Sequence, residues 1–225
     1  MQLNHQLRRP TVLDGRPPLL VLLHGKGDNE TGMAQLAADL DPRFLSLSLR
    51  APFATGNHGY RWFEGTRAAH GTGPPASEAE HSRLAVIQCI NDAVMGLGVD
   101  PRRVYLLGFS QGATLAWSIA LTTPRLLCGV VGLAGRIAPA IAALAALAAP
   151  AGAASHLTVF IQHGLHDRVS PLGNAQAARD LWVDLGAMMG YREYDAGHEL
   201  SPAMAEDAAE FLRTQLTRLR TRGAG

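Results

Sequence analysis

The sequence predicts a single α/β domain built on a mainly parallel sheet with helices on both faces. Short runs rich in Val, Leu and Ile alternate with longer segments of helical period, a pattern typical of parallel strands joined by crossover helices. The run at residues 19–24 is continuously apolar, as expected for a strand buried on both faces. A length of 225 residues suits one domain with a full core, and we find no repeat or linker that would divide residues 1–225.

Further strands are expected at regular intervals along the chain. The runs in the middle of the chain are mainly apolar, whereas the first run alternates with serine and the last run has polar residues between two tyrosines. These strands are predicted at residues 44–49, 104–109, 129–133, 157–162 and 191–194.

Helices are predicted between these strands. In the segment 77–97, three-to-four spacing assigns the inner face to Leu84, Ile87, Asn91, Val94 and Leu97. The segment 111–121 is expected to be helical directly after a strand. The Ser-Pro pairs at 170–171 and 201–202 each resemble an N-cap followed by proline at the first helical position. The inner face of the last helix is predicted to contain Met204, Ala208, Phe211, Leu212, Leu216 and Leu219.

Charge and cysteine content argue against several classes of protein. Lys and Arg total 20 and Asp and Glu 19, a net charge of +1, so there is no electrostatic reason to expect nucleic acid or an anionic membrane as a partner. Two cysteines do not make a disulfide framework, and the first residues lack the apolar region of a secretory signal, so we expect a cytoplasmic protein. The uncharged, alanine-rich segment 137–155 is too weakly hydrophobic for a membrane span, and we expect a loop and short helix there.

The motif Gly-x-Ser-x-Gly at residues 108–112 is the first indication of chemistry. A predicted strand leads into the motif and a predicted helix follows it, so Ser110 lies in a strand–turn–helix where a sharp turn lifts the hydroxyl clear of the sheet. Small residues are needed at positions 108 and 112 because neighbouring backbone crowds such a turn, which agrees with Gly108 and Gly112. The alternative interpretation is an ordinary glycine-rich turn.

A serine hydroxyl becomes a good nucleophile only when a base removes its proton, and the base in turn is oriented by a carboxylate. His198 follows the last predicted strand, and Asp167 follows the strand at 157–162. Both are therefore delivered to the carboxyl edge of the sheet, where open α/β folds bind ligands. The chain order Ser110, Asp167, His198 is the order that nucleophile-elbow enzymes use.

Other acids and bases fit this role less well. Asp180 and Asp184 have the spacing of a helix surface, and Asp195 lies only three residues before His198. The closest alternative base is His166, which is adjacent to the proposed acid. A metal site built on two nearby histidines, 163 and 166, would lack a third ligand at suitable spacing, so no metal and no cofactor is expected.

Acyl transfer also requires N–H donors for the oxyanion. We assign one to the backbone N–H of Gln111, the residue after the nucleophile, and the other to the N–H of Lys26 in the glycine-rich stretch at 24–29. A plain turn is the alternative for that stretch. Lys26 is also the sole lysine in the chain. Its ammonium is expected either to stay hydrated in solvent or to favour substrates with an anionic group near the acyl carbonyl.

Four blocks of sequence resemble the small phospholipase/carboxylesterase family of α/β-hydrolases, which includes the acyl-protein thioesterases. Residues 23–29 resemble the family's LHGxGD oxyanion loop, and residues 108–113 resemble its GFSQGG elbow, with Ala113 in place of the second glycine. Residues 163–171 resemble the HGxxDxxVP acid loop, with one residue's difference in spacing, and residues 197–201 match the GHxxS base loop. The resemblance therefore extends over most of the chain, from residue 23 to residue 201.

The resemblance implies an α/β-hydrolase fold without a large cap domain. It also implies that Ser110, Asp167 and His198 are the catalytic triad, and that Lys26 and Gln111 supply the oxyanion N–H groups. The family often has a hydrophobic residue at the position of Lys26, a difference that affects the choice of substrate rather than the chemistry.

A further block, Arg-Trp-Phe at residues 61–63, resembles the family's WF block, whose aromatic residues line the acyl pocket. The resemblance thus implies that Trp62 and Phe63 bind substrate. Simple core packing is the alternative for both residues.

The expected activity is hydrolysis of carboxylic esters through an acyl-enzyme, as in a carboxylesterase, a lysophospholipase or an acyl thioesterase. The expected partner is a small-molecule ester or thioester, and the sequence leaves open whether the chain forms a homodimer. Two alternatives remain open. One is a catalytically inactive α/β-hydrolase that serves as a ligand-binding module. The other is a peptidase or a dienelactone hydrolase, although the latter usually has cysteine where this chain has Ser110.

Overall fold

The computed structural model describes residues 1–13, 15–56, 58–64, 76–138 and 152–222. Its strands are β1 (His5–Arg8), β2 (Leu19–Leu23), β3 (Leu45–Leu49), β4 (Phe53–Ala54), β5 (Tyr60–Arg61), β6 (Val104–Phe109), β7 (Gly129–Leu133), β8 (Thr158–Gly164) and β9 (Met188–Tyr194). Its helices are α1 (Glu30–Ala38), α2 (Ala76–Gly96), α3 (Gln111–Thr122), α4 (Gly173–Asp184) and α5 (Pro202–Arg222), with a 3₁₀ turn at Pro124–Leu126.

Seven strands form one sheet in the order β1-β3-β2-β6-β7-β8-β9, and β4 and β5 pair separately. Every neighbouring pair in the large sheet is parallel except β1 with β3. The predicted mainly parallel sheet is therefore confirmed. The antiparallel edge strand β1 was not predicted, because four mostly exposed residues that include His, Gln and Arg give no apolar signal.

Helices cover both faces of the sheet, as predicted. Successive side chains of β2 point to opposite faces, so Leu19, Val21 and Leu23 join one apolar cluster while Leu20 and Leu22 join the other. The first cluster receives the buried residues of α2, α3 and α4, and the second receives those of α1 and α5. This arrangement explains why β2 is apolar at every position.

The inner face predicted for α2 is wrong by about one residue. Leu84 is 52% exposed and Asn91 is also exposed, while Ile87, Val94 and Leu97 lie at the margin of the core. The helix carries two adjacent apolar stripes with the same spacing, and packing against α3 and the sheet selects the one with smaller side chains. The side chains that it buries are Ser82, Ala85, Val86, Cys89, Ile90 and Ala93.

The two Ser-Pro pairs behave differently. Ser201 caps α5 as predicted, since its hydroxyl accepts the N–H of Met204 at 3.3 Å. Ser170 does not cap α4, which begins at Gly173. Its N–H instead donates to a carboxylate oxygen of Asp167 at 2.8 Å, so the residue belongs to the acid loop (residues 163–171).

The predicted inner face of α5 is confirmed for its described side chains, because residues 204, 208, 212 and 216 are buried and residue 211 is half-buried. The side chain of Leu219 lies outside the described residues, as do residues 139–151 of the alanine-rich segment. Within the described ranges, no helix is both long and apolar enough to cross a membrane.

Candidate active site

Ser110 occupies the turn between β6 and α3 in a strained conformation. Its φ of 53° and ψ of −111° lie outside the regions that L-residues favour, a cost of about 1–3 kcal/mol that the surroundings must offset. The Ser110 N–H donates to the carbonyl of Leu133 at 2.8 Å, and its carbonyl accepts the N–H of Thr114 at 3.0 Å. The turn is thus held from the neighbouring strand β7 and from α3.

The two glycines of the motif are required by close approach of backbone. A Cβ at Gly108 would lie 2.4 Å from the carbonyl group of Gly112, and a Cβ at Gly112 would lie 2.1 Å from the carbonyl oxygen of Leu23. Real Cβ atoms essentially never come closer than 3.0 Å to such atoms. The first turn of α3 is therefore pressed against the end of β2, where the oxyanion loop (residues 23–29) begins.

Three polar side chains from three separate loops meet at this turn. The Ser110 hydroxyl lies 2.9 Å from Nε2 of His198, and Nδ1 of His198 lies 2.7 Å from Oδ2 of Asp167. A carboxylate can only accept, so Nδ1 carries the proton of the neutral ring. Nε2 is then left with a lone pair directed at the serine hydroxyl. The arrangement is suited to remove that proton when the hydroxyl attacks.

The side chain of Asp167 is completely buried. Its second oxygen, Oδ1, accepts the N–H groups of Val169 and Ser170, both at 2.8 Å. Hydrogen bonds to a carboxylate are stronger than those between neutral groups, so these two donors replace water around the buried carboxylate. They also fix the direction in which Oδ2 faces His198.

His198 is held between the carboxylate and an aromatic ring. Its imidazole lies 5.2 Å from the Phe109 ring, centroid to centroid, at a tilt of 41°. The loop that carries it is tied to the acid loop, because the N–H of Leu165 donates to Tyr194 O at 2.8 Å and the N–H of His166 donates to Ala196 O at 3.0 Å. The acid and base loops therefore form one unit beside Ser110.

The oxyanion loop lies against the nucleophile. A Cβ at Gly25 would lie 3.5 Å from Cβ of Ser110 and 2.9 Å from the Phe109 ring. Among the described residues, the backbone N–H groups of Lys26 and Gln111 have no protein acceptor. Both donors are thus free to bind an anion, and Gln111 also begins α3, where the helix dipole favours negative charge.

The ammonium group of Lys26 is about half exposed and lies 3.6 Å from the carboxylate of Glu64, which is also about half exposed. Arg61 contacts the same carboxylate at 2.7 Å. Exposed pairs of this kind contribute at most about 1 kcal/mol. The structure thus favours the expectation that this side chain stays in solvent, with part of its charge offset by Glu64.

The alternative acids and bases lie away from the serine. His166 and Asp195 pair with each other at 2.9 Å on the surface, with side chains 69% and 91% exposed. Asp180 pairs with its neighbour Arg179 on α4, and Asp184 is exposed on the same helix. In the part of the chain that the structure describes, none of these side chains forms a hydrogen bond or ion pair with Ser110, Asp167 or His198.

The family model for phospholipases and carboxylesterases matches residues 14–216. The chain belongs to the phospholipase/carboxylesterase family. As a member it is a carboxylic ester hydrolase with the α/β-hydrolase fold.

Relatives and solved structures agree with this placement. Acyl-protein thioesterase 1 of Eremothecium gossypii is 27% identical over 209 residues, which cover 87% of each chain. Esterase YpfH of Escherichia coli is 27% identical over 202 residues, covering 87% of this chain and 82% of that protein. The crystal structure of a Bacillus cereus carboxylesterase has the same fold, with a TM-score of 0.79 and 21% identity over 95% of both chains.

Trp62 and Phe63 are core residues in this hydrolase. The Trp62 side chain has no exposed surface, Phe63 is nearly as buried, and both pack in the apolar cluster beneath α2 and α3. The Trp62 ring lies 5.3 Å from the ring of His24. Core packing, the alternative to the acyl-pocket role implied by the resemblance, therefore describes both positions in the structure.

Two buried histidines lie near the site, and the sequence analysis assigned neither of them a role in it. His163 donates from Nε2 to Ser170 O at 2.7 Å, and Oδ2 of Asp167 lies 3.4 Å from the same nitrogen. His24 lies at the start of the oxyanion loop and is fully buried. Both residues are part of blocks that resemble the family motifs, which was the available signal. However, the Ser170 carbonyl that His163 meets and the Ala51 N–H that His24 meets come close to these rings only in the folded chain.

Proposed function

We propose that Ser110, His198 and Asp167 form a catalytic triad and that the chain hydrolyses carboxylic esters through an acylated Ser110. The observation that supports this most directly is the pair of hydrogen bonds that joins the three side chains, at 2.9 and 2.7 Å. The strained serine at the tip of the turn adds to it, since strain of this kind concentrates at functional sites.

Acylation begins when Ser110 Oγ attacks the ester carbonyl and His198 Nε2 takes the hydroxyl proton. Asp167 keeps the proton on Nδ1 and stabilises the imidazolium that forms. The carbonyl oxygen becomes an oxyanion, which the N–H groups of Lys26 and Gln111 stabilise. His198 then gives its proton to the leaving alcohol or thiol as the tetrahedral intermediate collapses. Water, activated by the same histidine, hydrolyses the acyl-enzyme and restores Ser110.

The substrate that we propose is a small-molecule carboxylic ester, with lysophospholipid and acyl thioester as the nearest variants. The relatives named above support this range, since one is named an esterase and another an acyl-protein thioesterase. We place the reaction in the cytoplasm, a proposal supported by the free thiols of Cys89 and Cys128.

Replacement of Ser110 by Ala tests the proposal. We expect the wild-type protein to release a burst of p-nitrophenol from an activated ester and to be labelled by a fluorophosphonate, and we expect Ser110→Ala to do neither. Ser155→Ala is the control, because Ser155 is exposed and lies outside the site. A burst that survives in Ser110→Ala would refute the assignment of the nucleophile. Folded wild-type protein that is not labelled would instead favour the ligand-binding module.

A further inference from the structure

The two N–H groups proposed for the oxyanion, those of Lys26 and Gln111, belong to segments that are far apart in sequence. Electrostatic stabilisation of an oxyanion depends on donors that are held in place before the reaction. The relative position of the two groups must therefore be set by contacts between the segments. A buried hydrogen-bonded network provides such contacts, and it begins at His24.

His24 is fully buried, and both of its ring nitrogens have partners. Nε2 accepts the N–H of Ala51 at 3.0 Å, so the proton of the neutral ring is on Nδ1. Nδ1 donates to the carbonyl oxygen of Gly25 at 2.7 Å. Burial lowers the pKa of His24, which keeps the ring neutral and in this tautomer near pH 7.

The carbonyl of Gly25 and the N–H of Lys26 belong to the same peptide unit. None of the described peptide bonds is cis, and in a planar trans peptide the C=O and N–H groups point in opposite directions. The N–H of Asp28 also donates to Gly25 O, at 3.3 Å. By holding Gly25 O on its own side, His24 directs the Lys26 N–H away from its ring.

Trp62 connects Gln111 to the neighbouring peptide unit of the oxyanion loop, the one that contains the His24 carbonyl. The indole Nε1 donates to the carbonyl oxygen of His24 at 2.8 Å. The side-chain oxygen of Gln111 accepts the Trp62 N–H at 3.1 Å, and its amide nitrogen donates to Phe63 O at 2.9 Å. The Gln111 side chain therefore binds the backbone of the segment that contains Trp62, and the Trp62 indole in turn binds the oxyanion loop. Gln111 also carries one of the two proposed donors on its own backbone.

The structure assigns to His24, Trp62 and the Gln111 side chain the role of positioning residues, which set the spacing and direction of the Lys26 and Gln111 N–H groups. This inference rests on the proposed function, because those two N–H groups are its oxyanion donors. It gives Trp62 a role that does not require contact with substrate. Loss of one oxyanion donor in a serine hydrolase lowers kcat by about 10²–10³-fold, so misplacement of one donor should lower kcat by roughly 10–100-fold.

The chain offers a matched pair of variants for the test. Trp62 and Trp182 are both fully buried, but the described residues offer no partner to Nε1 of Trp182. Trp62→Phe removes ring volume and a hydrogen bond, whereas Trp182→Phe removes the same volume and no hydrogen bond. We expect Trp62→Phe to lower kcat per titrated active site by roughly 10–100-fold with KM within about threefold, and Trp182→Phe to leave both within about threefold of wild type.

A second set of variants tests the histidine. His24→Ala should lower kcat by a similar factor, and His24→Asn should recover most of it, because the Asn amide nitrogen can replace Nδ1–H as a donor to Gly25 O. Affinity for a trifluoromethyl ketone, which forms a tetrahedral adduct with the serine, should weaken by the same factor as kcat/KM. If Trp62→Phe or His24→Ala does not fold, Gln111→Met provides the test, since it removes both side-chain hydrogen bonds and keeps the backbone donor.

Fluorophosphonate titration separates the outcomes. The positioning role would be overturned if kcat per labelled site were unchanged in Trp62→Phe, His24→Ala and Gln111→Met. A smaller number of labelled sites would not alter this conclusion, because it would mean that these residues affect folding alone. Equal losses of kcat in Trp62→Phe and Trp182→Phe would also overturn the positioning role. Both results leave the triad intact. A wild-type protein that is not labelled at Ser110 would overturn the proposed function, and the positioning role with it.

Discussion

Gly164 is the last residue of β8 and part of the acid loop, and it lies against the backbone that leads into the base loop (residues 197–201). A Cβ at this position would lie 2.3 Å from Gly197 O and 2.4 Å from Ala196 O. The φ angle of Gly164 is not in the left-handed region, so its backbone conformation is open to alanine and only the contact opposes the substitution. Gly164→Ala therefore tests whether the distance between these two backbones sets the geometry of the proposed triad.

The size of the effect follows from the contact distance. Since Cβ atoms essentially never lie within 3.0 Å of such atoms, the two backbones must separate by about 0.7 Å. Asp167 and His198 lie on opposite sides of this contact and are joined by a bond of 2.7 Å. Misplacement by about 1 Å can reduce a rate by about 10²-fold. We expect Gly164→Ala to lower kcat by roughly 10–100-fold and to cost about 1–3 kcal/mol of unfolding free energy.

The assay is steady-state hydrolysis of a p-nitrophenyl ester, with kcat divided by the number of sites that a fluorophosphonate labels. Urea denaturation gives the free energy of unfolding. Gly173→Ala is the control, because a Cβ at Gly173 meets nothing within 4 Å, and we expect its kcat to stay within about twofold of wild type. A folded Gly164→Ala protein with kcat per site within threefold of wild type would show that the distance between these two backbones does not set the geometry of the proposed triad.

Two further substitutions address the acid and the pH dependence of stability. Asp167→Asn should present an amide donor to His198 Nδ1 and so move the ring proton to Nε2, where it blocks proton removal from Ser110. We expect kcat to fall by about 10³–10⁴-fold. A loss below tenfold would contradict the role assigned to Asp167. Glu30, whose pKa is lowered chiefly by its hydrogen bond to Arg50, should stabilise the fold above the unfolded value of about 4.3 and lose this effect as the pH falls through its lower folded pKa. The difference in unfolding free energy between wild type and Glu30→Gln, about 1 kcal/mol at pH 7, should therefore shrink in urea titrations below pH 4, and a difference that stays constant from pH 7 to pH 3 would contradict this.

Much of the architecture could be predicted because apolar periodicity reports burial directly. Strand β2 is buried on both faces and reads as an unbroken apolar run. Where two faces of a helix have the same apolar spacing, the sequence did not show which face is buried. In α2 the stripe that begins at Leu84 and the stripe that contains Val86 and Ile90 have equal spacing, and the second is the buried one. Only the shape of the surface that α2 packs against distinguishes them.

The sequence likewise predicted part of the candidate site, and the rest required the fold. Residue type and chain order were enough to nominate Ser110, Asp167 and His198, because a nucleophile, a base and a carboxylate at the carboxyl ends of strands have few alternatives in one chain. The meeting of these side chains at 2.9 and 2.7 Å required the fold. The fold was also needed to show that Trp62 is buried in the core and that its indole donates a hydrogen bond to the oxyanion loop.

Local pattern and residue type were enough to predict the parallel strands of the sheet and the turn at Ser110, and to nominate the three side chains of the proposed triad. Which backbone groups meet the side chains in and around the site depends on the fold. Ser170 donates to Asp167 instead of capping a helix, and His24 holds the peptide that carries the Lys26 N–H. Main-chain donors and acceptors occur at nearly every residue, so only the approach of distant segments in the fold selects the ones that pair.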